Sequence, residues 1–425
     1  MRIEKLNPAI ASRILALRTS CGVAAERVAR RIVGAVRRGG DDALLAFCRK
    51  LDGGIATRAQ ELLVSQREIH QAMRRVDRRL LGALEHAAQN IRCVARQQLP
   101  CPWTLQVERG VRISQIVRPL ESVACYVPGG RFSLVSTLLM TAIPAKVAGV
   151  KRVAVACPHP NDAVLAAAGM LGIGEVYRMG GAQAIAALAY GTRTIRPAVK
   201  ICGPGNRYVT AAKRIVSSEC ATDMQAGPTE LLVLATRGNP ALIAADLLAQ
   251  AEHDPEAIAL CLTTSKNLAT EIAGEVAAQS RRLPKGSLAV RALARHGTIL
   301  VANSLSAMIS FANRFAPEHL SVVGSERQVA ARIESAGSVF LGAWSAQSFG
   351  DYVTGSNHVL PTGGWARARG GLGAADFVKC FTMQEVSAEG ARRLAPAAMA
   401  LARAEGLAAH RYAAAIRCAP GEARE

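Results

Sequence analysis

The chain has 425 residues, half of them apolar and a fifth charged, which excludes disorder and is more than one ordinary core takes up. Lysine and arginine outnumber aspartate and glutamate by 52 to 32, a formal net charge of +20. The basic residues are dispersed in short clusters such as Arg30-Arg31, Arg37-Arg38, Arg281-Arg282 and Arg392-Arg393, with no basic tail or aromatic-interleaved groove, so they read as solvated charge that attracts anionic ligands and not as a nucleic-acid face.

Residues 1 to about 120 read as mostly helical, with apolar positions three to four apart through Val28–Val36 and Leu80–Val94. From Glu121 the pattern changes to short β-branched runs alternating with alanine-rich stretches. Strands are expected at Glu121–Val127, Arg152–Cys157, Glu175–Met179 and Ala198–Cys202. The intervening helices are Ser136–Gly149, Asn161–Gly172, Ala182–Tyr190 and Asn206–Val216. A second series starts with strand Glu230–Ala235 and helix Pro240–Glu252, where Asn239 is the N-cap and Pro240 opens the first turn. It continues with strands near Ile258–Leu262, Thr298–Val301, His319–Val323 and Ser338–Leu341. After Gly371 the chain reads as helical with no sheet pattern. Such alternation gives an α/β fold with parallel sheets covered by helices on both faces.

The 11 cysteines are odd in number and form no Cys-x-x-Cys pair, so they read as reduced thiols. No signal pattern opens the chain and no uncharged apolar run reaches spanning length. The expectation is a cytoplasmic protein with no membrane partner.

Three strand-to-helix turns are glycine-rich: Val127-Pro-Gly-Gly130, Met179-Gly-Gly-Ala-Gln183 and Cys202-Gly-Pro-Gly-Asn206. Glycine lets a backbone approach a ligand, and helix N-termini present N–H groups to anions. Any one of these turns serves topology equally well; three on one sheet edge suggest a nucleotide-sized site, although the Gly-x-Gly-x-x-Gly fingerprint is absent. Gln250 and His253 stand i and i+3 on one helix face, a spacing that chelates a metal or simply decorates a surface. Asp351, His358 and His410 are further candidate ligands, a donor set suited to zinc or a similar divalent ion. In Ala316-Pro-Glu-His319, proline breaks the preceding helix, so Glu318 and His319 emerge together at a strand edge, where they read as an acid–base pair or as an exposed turn.

In order along the chain, the stretches CYVPGGRFSLVSTLLMTAIPAKVAGV, MGGAQAIAALAYGTRTI, ICGPGNRYVTAAKR, DMQAGPTELLVLA, DLLAQAEHD, FAPEHLSVV, FGDYVTGSNHVLPTGGWARA and AEGLAAHR resemble histidinol dehydrogenases. The resemblance covers about residue 120 to the C-terminus, with a looser match before. It implies two Rossmann-like parallel-sheet domains with helical N-terminal and C-terminal appendages. Residues 1–20 would form an N-terminal helical arm, 21–125 and 232–372 a larger α/β domain, 126–231 an inserted NAD-binding domain, and 373–425 a helical dimerisation tail. It also implies oxidation of L-histidinol through the aldehyde to L-histidine, with two NAD+ reduced and zinc bound.

Carried over by motif, the zinc ligands are Gln250, His253, Asp351 and His410, and the catalytic pair is Glu318 and His319. NAD contacts fall on Tyr126, Gln183 and Asn206. Substrate contacts fall on Thr229, His319, His358 and Glu405 together with the metal ligands. The family's homodimer would have Glu405 and His410 serve the neighbouring subunit. Two departures stand out: Thr229 replaces the commoner serine, and Ser345-Ala-Gln-Ser-Phe-Gly350 lacks the usual Pro-Glu. They open the alternative of a same-family dehydrogenase acting on another small amino or sulfonated alcohol, against which the presence of Glu405, His410 and His358 argues.

Overall fold

The computed structural model describes residues 1–18, 22–54, 56–129, 134–224 and 227–418. They form two compact units, Met1–Gln98 with Leu120–Phe377, and Leu99–Pro119 with Val378–Glu425.

The first unit holds two parallel sheets. In the six-stranded one the order is Arg2–Lys5, Thr298–Val301, Ile258–Thr263, Glu230–Ala235, His319–Val323, Ser338–Leu341. In the five-stranded one it is Glu175–Tyr177, Arg152–Ala156, Ser122–Tyr126, Lys200–Cys202, Ala221–Thr222. All neighbours in both run parallel. The inner strands are buried throughout because helices cover both faces, which is why they read as unbroken apolar runs. Successive side chains alternate between faces. Val123, Cys125 and Val155 enter one core, whereas Ala124, Tyr126 and Ala156 enter another, where alanines let helices approach closely.

The strands at Glu230–Ala235, Thr298–Val301, His319–Val323 and Ser338–Leu341 have the expected bounds and Asn239 caps its helix as read, while Asn161 and Asn206, read as first helical residues, are N-caps. The structure differs elsewhere. Residues 1–20 do not form only a helical arm: Arg2–Lys5 is an edge strand paired with Thr298–Val301, ahead of helix Pro8–Ala16. Helices Val23–Asp52, Gln66–Arg75 and Arg78–Gln97 pack against helices of the five-stranded sheet, and Arg78–Gln97 also meets the 353–372 stretch, where Asn90 Nδ2 donates to the Val353 carbonyl at 2.7 Å.

In the second unit, Trp103–Glu108, Val111–Pro119 and Val378–Val386 form an antiparallel sheet. The C-terminal segment is therefore not wholly helical. Among the described residues no helix is long and apolar enough to cross a membrane.

Candidate active site

Helix Leu305–Phe315 ends at Ala316, whose left-handed φ of +44° closes the last turn, and Pro317 prevents its continuation. Glu318 and His319 then start a strand lying beside Glu230–Ala235. The site therefore sits at the amino ends of two central strands of the six-stranded sheet. Ligands usually meet parallel sheets at carboxyl ends. Here that rule holds for the five-stranded sheet, whose Gly203-Pro204-Gly205 turn lines the same cavity of about 180 Å³ as Thr229, His253, Glu318, His319, Asp351 and His358.

Glu318 is buried, and its Oε2 accepts hydrogen bonds from Thr229 Oγ1 at 2.5 Å and from the Glu230 amide at 2.8 Å. Thr229 has one hydroxyl proton, spent on Glu318, so it accepts from Gln250 Nε2 at 2.5 Å. That fixes the Gln250 amide, leaving its buried Oε1 without a hydrogen-bond partner among the described residues. His253 Nδ1 faces the Ala249 and Gln250 carbonyls at 3.2 and 3.3 Å; carbonyls only accept, so Nδ1 carries the proton and Nε2 the lone pair. The same logic places the proton of His358 on Nδ1, 2.7 Å from the Asp351 carbonyl.

His319 meets an acceptor at each nitrogen: Nδ1 lies 3.3 Å from the Glu230 carbonyl and Nε2 3.4 Å from Asp351 Oδ1. Burial alone would lower its pKa, but Glu318 and Asp351 outweigh it and raise the imidazole to about 8. Burial pushes the Glu318 carboxyl above its ordinary range, against the pull of the His319 charge and the Thr229 and Glu230 donors. Asp351 goes the other way. Burial opposes ionisation there, yet His319 holds the carboxyl below its usual value.

An orphaned amide oxygen on Gln250, a lone pair on His253 and the low-pKa carboxylate of Asp351 suit a divalent metal. Among the described residues no group of three or more His, Cys, Asp or Glu side chains is clustered to hold one. His410 and Glu405 lie in the second unit and are exposed, so the first unit alone holds only part of the expected donor set.

Tyr126, Gln183 and Asn206 share a different cavity, of about 480 Å³, at the carboxyl ends of the five-stranded sheet. Gly130 of the first glycine turn lies outside the described residues. The other two turns spend their leading amides on protein groups. Gly180 N–H donates to Asp52 Oδ2 at 2.9 Å, Gly181 N–H to the Tyr126 hydroxyl at 3.1 Å, and Gly203 N–H to Asp223 Oδ2 at 2.7 Å. Asp52 and the pair Arg18–Glu230, which braces the Glu318 segment, went unnoticed in sequence reasoning. Their partners are distant in the chain, and no local spacing marks them.

Fold and cavities together define a two-sheet α/β enzyme with a buried acid–base centre and a separate nucleotide-sized pocket. A sequence model of the histidinol dehydrogenase family matches residues 18–418, and the chain belongs to that family. It is 44% identical over 387 residues to the histidinol dehydrogenase of Methanothermobacter thermautotrophicus, covering 89% of this chain and 90% of that one. The Bradyrhizobium diazoefficiens histidinol dehydrogenase is 45% identical over 402 residues, covering 93% of each. The crystal structure of histidinol dehydrogenase from Elizabethkingia anophelis superposes with a TM-score of 0.91 at 36% identity over 98% of both chains. The chain is thus an oxidoreductase of histidine biosynthesis.

Proposed function

We propose that the chain oxidises L-histidinol through L-histidinal to L-histidine with two NAD+, using Zn2+ held by Gln250, His253, Asp351 and His410. The observation that carries this reading is the convergence of Glu318, His319, Thr229, Asp351 and His358 on one small cavity. In the first step the C–H hydrogen leaves as hydride while the neutral form of His319, which predominates above about pH 8, takes the hydroxyl proton, and the C=O bond forms. In the second, Glu318 takes a proton from water as the water oxygen bonds to the aldehyde carbon, and His319 gives the proton it took in the first step to the carbonyl oxygen. The resulting diol loses a second hydride and a proton to give the carboxylic acid, which ionises. Bound NAD+ supplies the hydride acceptor, and bound Zn2+ supplies a Lewis-acid template that orients the substrate. His358, with its Nδ1 proton directed at the Asp351 carbonyl, keeps an Nε2 lone pair, 3.4 Å from Thr137 Oγ1 in the same cavity wall, for a substrate donor.

Thr229 is assigned a substrate contact as well, made through its methyl and remaining lone pair, since its proton is given to Glu318. Purified protein is expected to form NADH from L-histidinol, to lose activity on chelation, and to recover with zinc or manganese. Full activity in preparations shown by mass spectrometry to be metal-free removes the metal assignment. Faster turnover of a sulfonated alcohol than of histidinol removes the substrate assignment.

The same reading makes the enzyme a homodimer in which Glu405 and His410 complete the neighbouring copy's site. A His410→Asn variant and a His319→Ala variant, each inactive, are then expected to regain activity when their subunits exchange. One site of each mixed dimer is intact, so random mixing gives roughly a quarter of wild-type activity. Mixed dimers without activity would mean that His410 serves its own chain or that the two sites are coupled, and a crystal structure decides between those two.

A further inference from the structure

We infer that Asp52 positions and selects the nucleotide cofactor, by occupying the anion seat at the start of helix Gly181–Tyr190 and turning the carbonyl of Gln183 towards the cofactor. The inference rests on the reading of the 480 Å³ cavity as the NAD+ site.

Helix Val23–Asp52 departs from helical geometry at Gly40, where φ is +52° and ψ is −131°. Asp41, just after the break, is buried and accepts a 2.8 Å hydrogen bond from Thr194 Oγ1, which anchors the second half of the helix. Asp52 ends that half inside the cavity wall, and Gly53 closes it with a left-handed φ of +63°.

One carboxylate oxygen, Oδ2, accepts both the Gly180 amide at 2.9 Å and Gln183 Nε2 at 3.2 Å. A helix start with free amides attracts phosphate. This start has already received a carboxylate, and a second anion there meets like charge. Because the oxygen that receives the Gly180 N–H can only accept from Gln183 as well, the Gln183 amide has a single orientation. Gln183 is 0% exposed, and its buried Oε1 has no hydrogen-bond partner among the described residues. It rests against Gly181, another wall residue, where an added Cβ would lie 2.6 Å from it.

A buried unsatisfied acceptor is costly unless a ligand supplies the donor. The Tyr126 phenol, pushed up to about 12 by burial, stays protonated; it takes the Gly181 N–H and keeps its own proton to donate. This end of the cavity is therefore built for a neutral donor-bearing part of NAD+, a ribose hydroxyl or the carboxamide, and the pyrophosphate lies elsewhere. Arg31 and Lys50 on the exposed rim supply positive charge for it.

The test titrates NAD+ into the full chain by calorimetry and follows NADH formation in parallel. Asp52→Asn keeps size and shape, and because both hydrogen bonds converge on Oδ2 its carbonyl takes that position and accepts from Gly180 and Gln183 as before, so the Gln183 carbonyl keeps its direction. Asp52→Ala removes the acceptor and frees the Gln183 amide to turn. For Asp52→Ala the NAD+ dissociation constant and KM are expected to rise about tenfold, the upper worth of one neutral hydrogen bond, while kcat at saturating NAD+ changes little. For Asp52→Asn both constants are expected to stay close to wild type. Two results overturn the inference: an Asp52→Ala dissociation constant matching wild type, or an Asp52→Asn variant as weak as Asp52→Ala. Lys50→Glu separates the inference from the reading beneath it. If Lys50→Glu weakens NAD+ and Asp52→Ala does not, the role of Asp52 fails; if neither does, the cavity is not the NAD+ site.

Discussion

Glu318→Gln is expected to slow the oxidation of L-histidinal about 10²–10⁴-fold, the usual contribution of a positioned acid–base group, while the oxidation of L-histidinol loses far less. The structure favours this substitution as a clean probe. Both hydrogen bonds to Glu318 converge on one oxygen, Oε2. A glutamine carbonyl takes that position and accepts from Thr229 Oγ1 and the Glu230 amide as before. Only the second oxygen changes, from a base to an amide N–H₂ that cannot remove a proton from water. Thr229 still accepts from Gln250, so the donor set keeps its geometry. Rapid mixing with histidinol and histidinal as separate substrates checks the result. Equal losses in the two half-reactions would mean that Glu318 and His319 do not divide the chemistry.

Most strands of the two parallel sheets were legible because burial on two faces writes an apolar run, with glycine or proline marking several of the ends; Ala221–Thr222, only two residues long, was not. Strand His319–Val323 is an instance: Pro317 sets its start, and the run His319-Leu-Ser-Val-Val323 is buried throughout. The short edge strand Arg2–Lys5 was not legible. With four residues, three of them charged, it carries no apolar pattern, and its partner lies almost 300 residues away. The hairpin Trp103–Glu108 to Val111–Pro119 did carry a signal, since Trp103, Leu105 and Val107 alternate with polar residues and Gly110 turns with φ of +80°. A helical reading of the N-terminal third passed over it.

Site residues divide in the same way. Gln250 and His253 show in the i, i+3 spacing, and Glu318 and His319 in the proline that exposes them. That His253, Glu318 and His319 line one cavity with Asp351 and His358 was legible only through the family resemblance. Arg18, Glu230 and Asp52 show no such spacing. Their function is set by partners far along the chain: Arg18 and Glu230 are 212 positions apart, and Asp52 and Gln183 are 131.

Arg18→Met is expected to cost about 3–5 kcal/mol of stability, the penalty for stripping one partner from a buried ion pair. Arg18 Nε and Nη2 donate to the two oxygens of Glu230 at 2.6 Å each, and Glu230 is 0% exposed. The same guanidinium donates to the Phe315 and Ala316 carbonyls and lies 4.0 Å from the centre of the Phe315 ring. It therefore holds the chain just before Glu318, at the one described non-glycine residue with a left-handed φ, Ala316. Methionine fills similar volume but, among the described residues, leaves the Glu230 carboxylate with only the Gly363 amide, 3.1 Å away. Burial raises the Glu230 pKa, and Arg18 is the main influence lowering it. Without Arg18 the folded value rises further above the unfolded one. The folded state then binds an extra proton between the two values, so stability falls as pH rises through that interval. The deficit of Arg18→Met relative to wild type should accordingly be larger at pH 8 than at pH 5, as read from urea-unfolding midpoints. Adding Glu230→Gln removes the stranded charge and should recover much of the loss at pH 8 but little at pH 5. A deficit independent of pH, unrelieved by Glu230→Gln, would place the cost in lost packing around Phe315 instead of in the unpaired carboxylate.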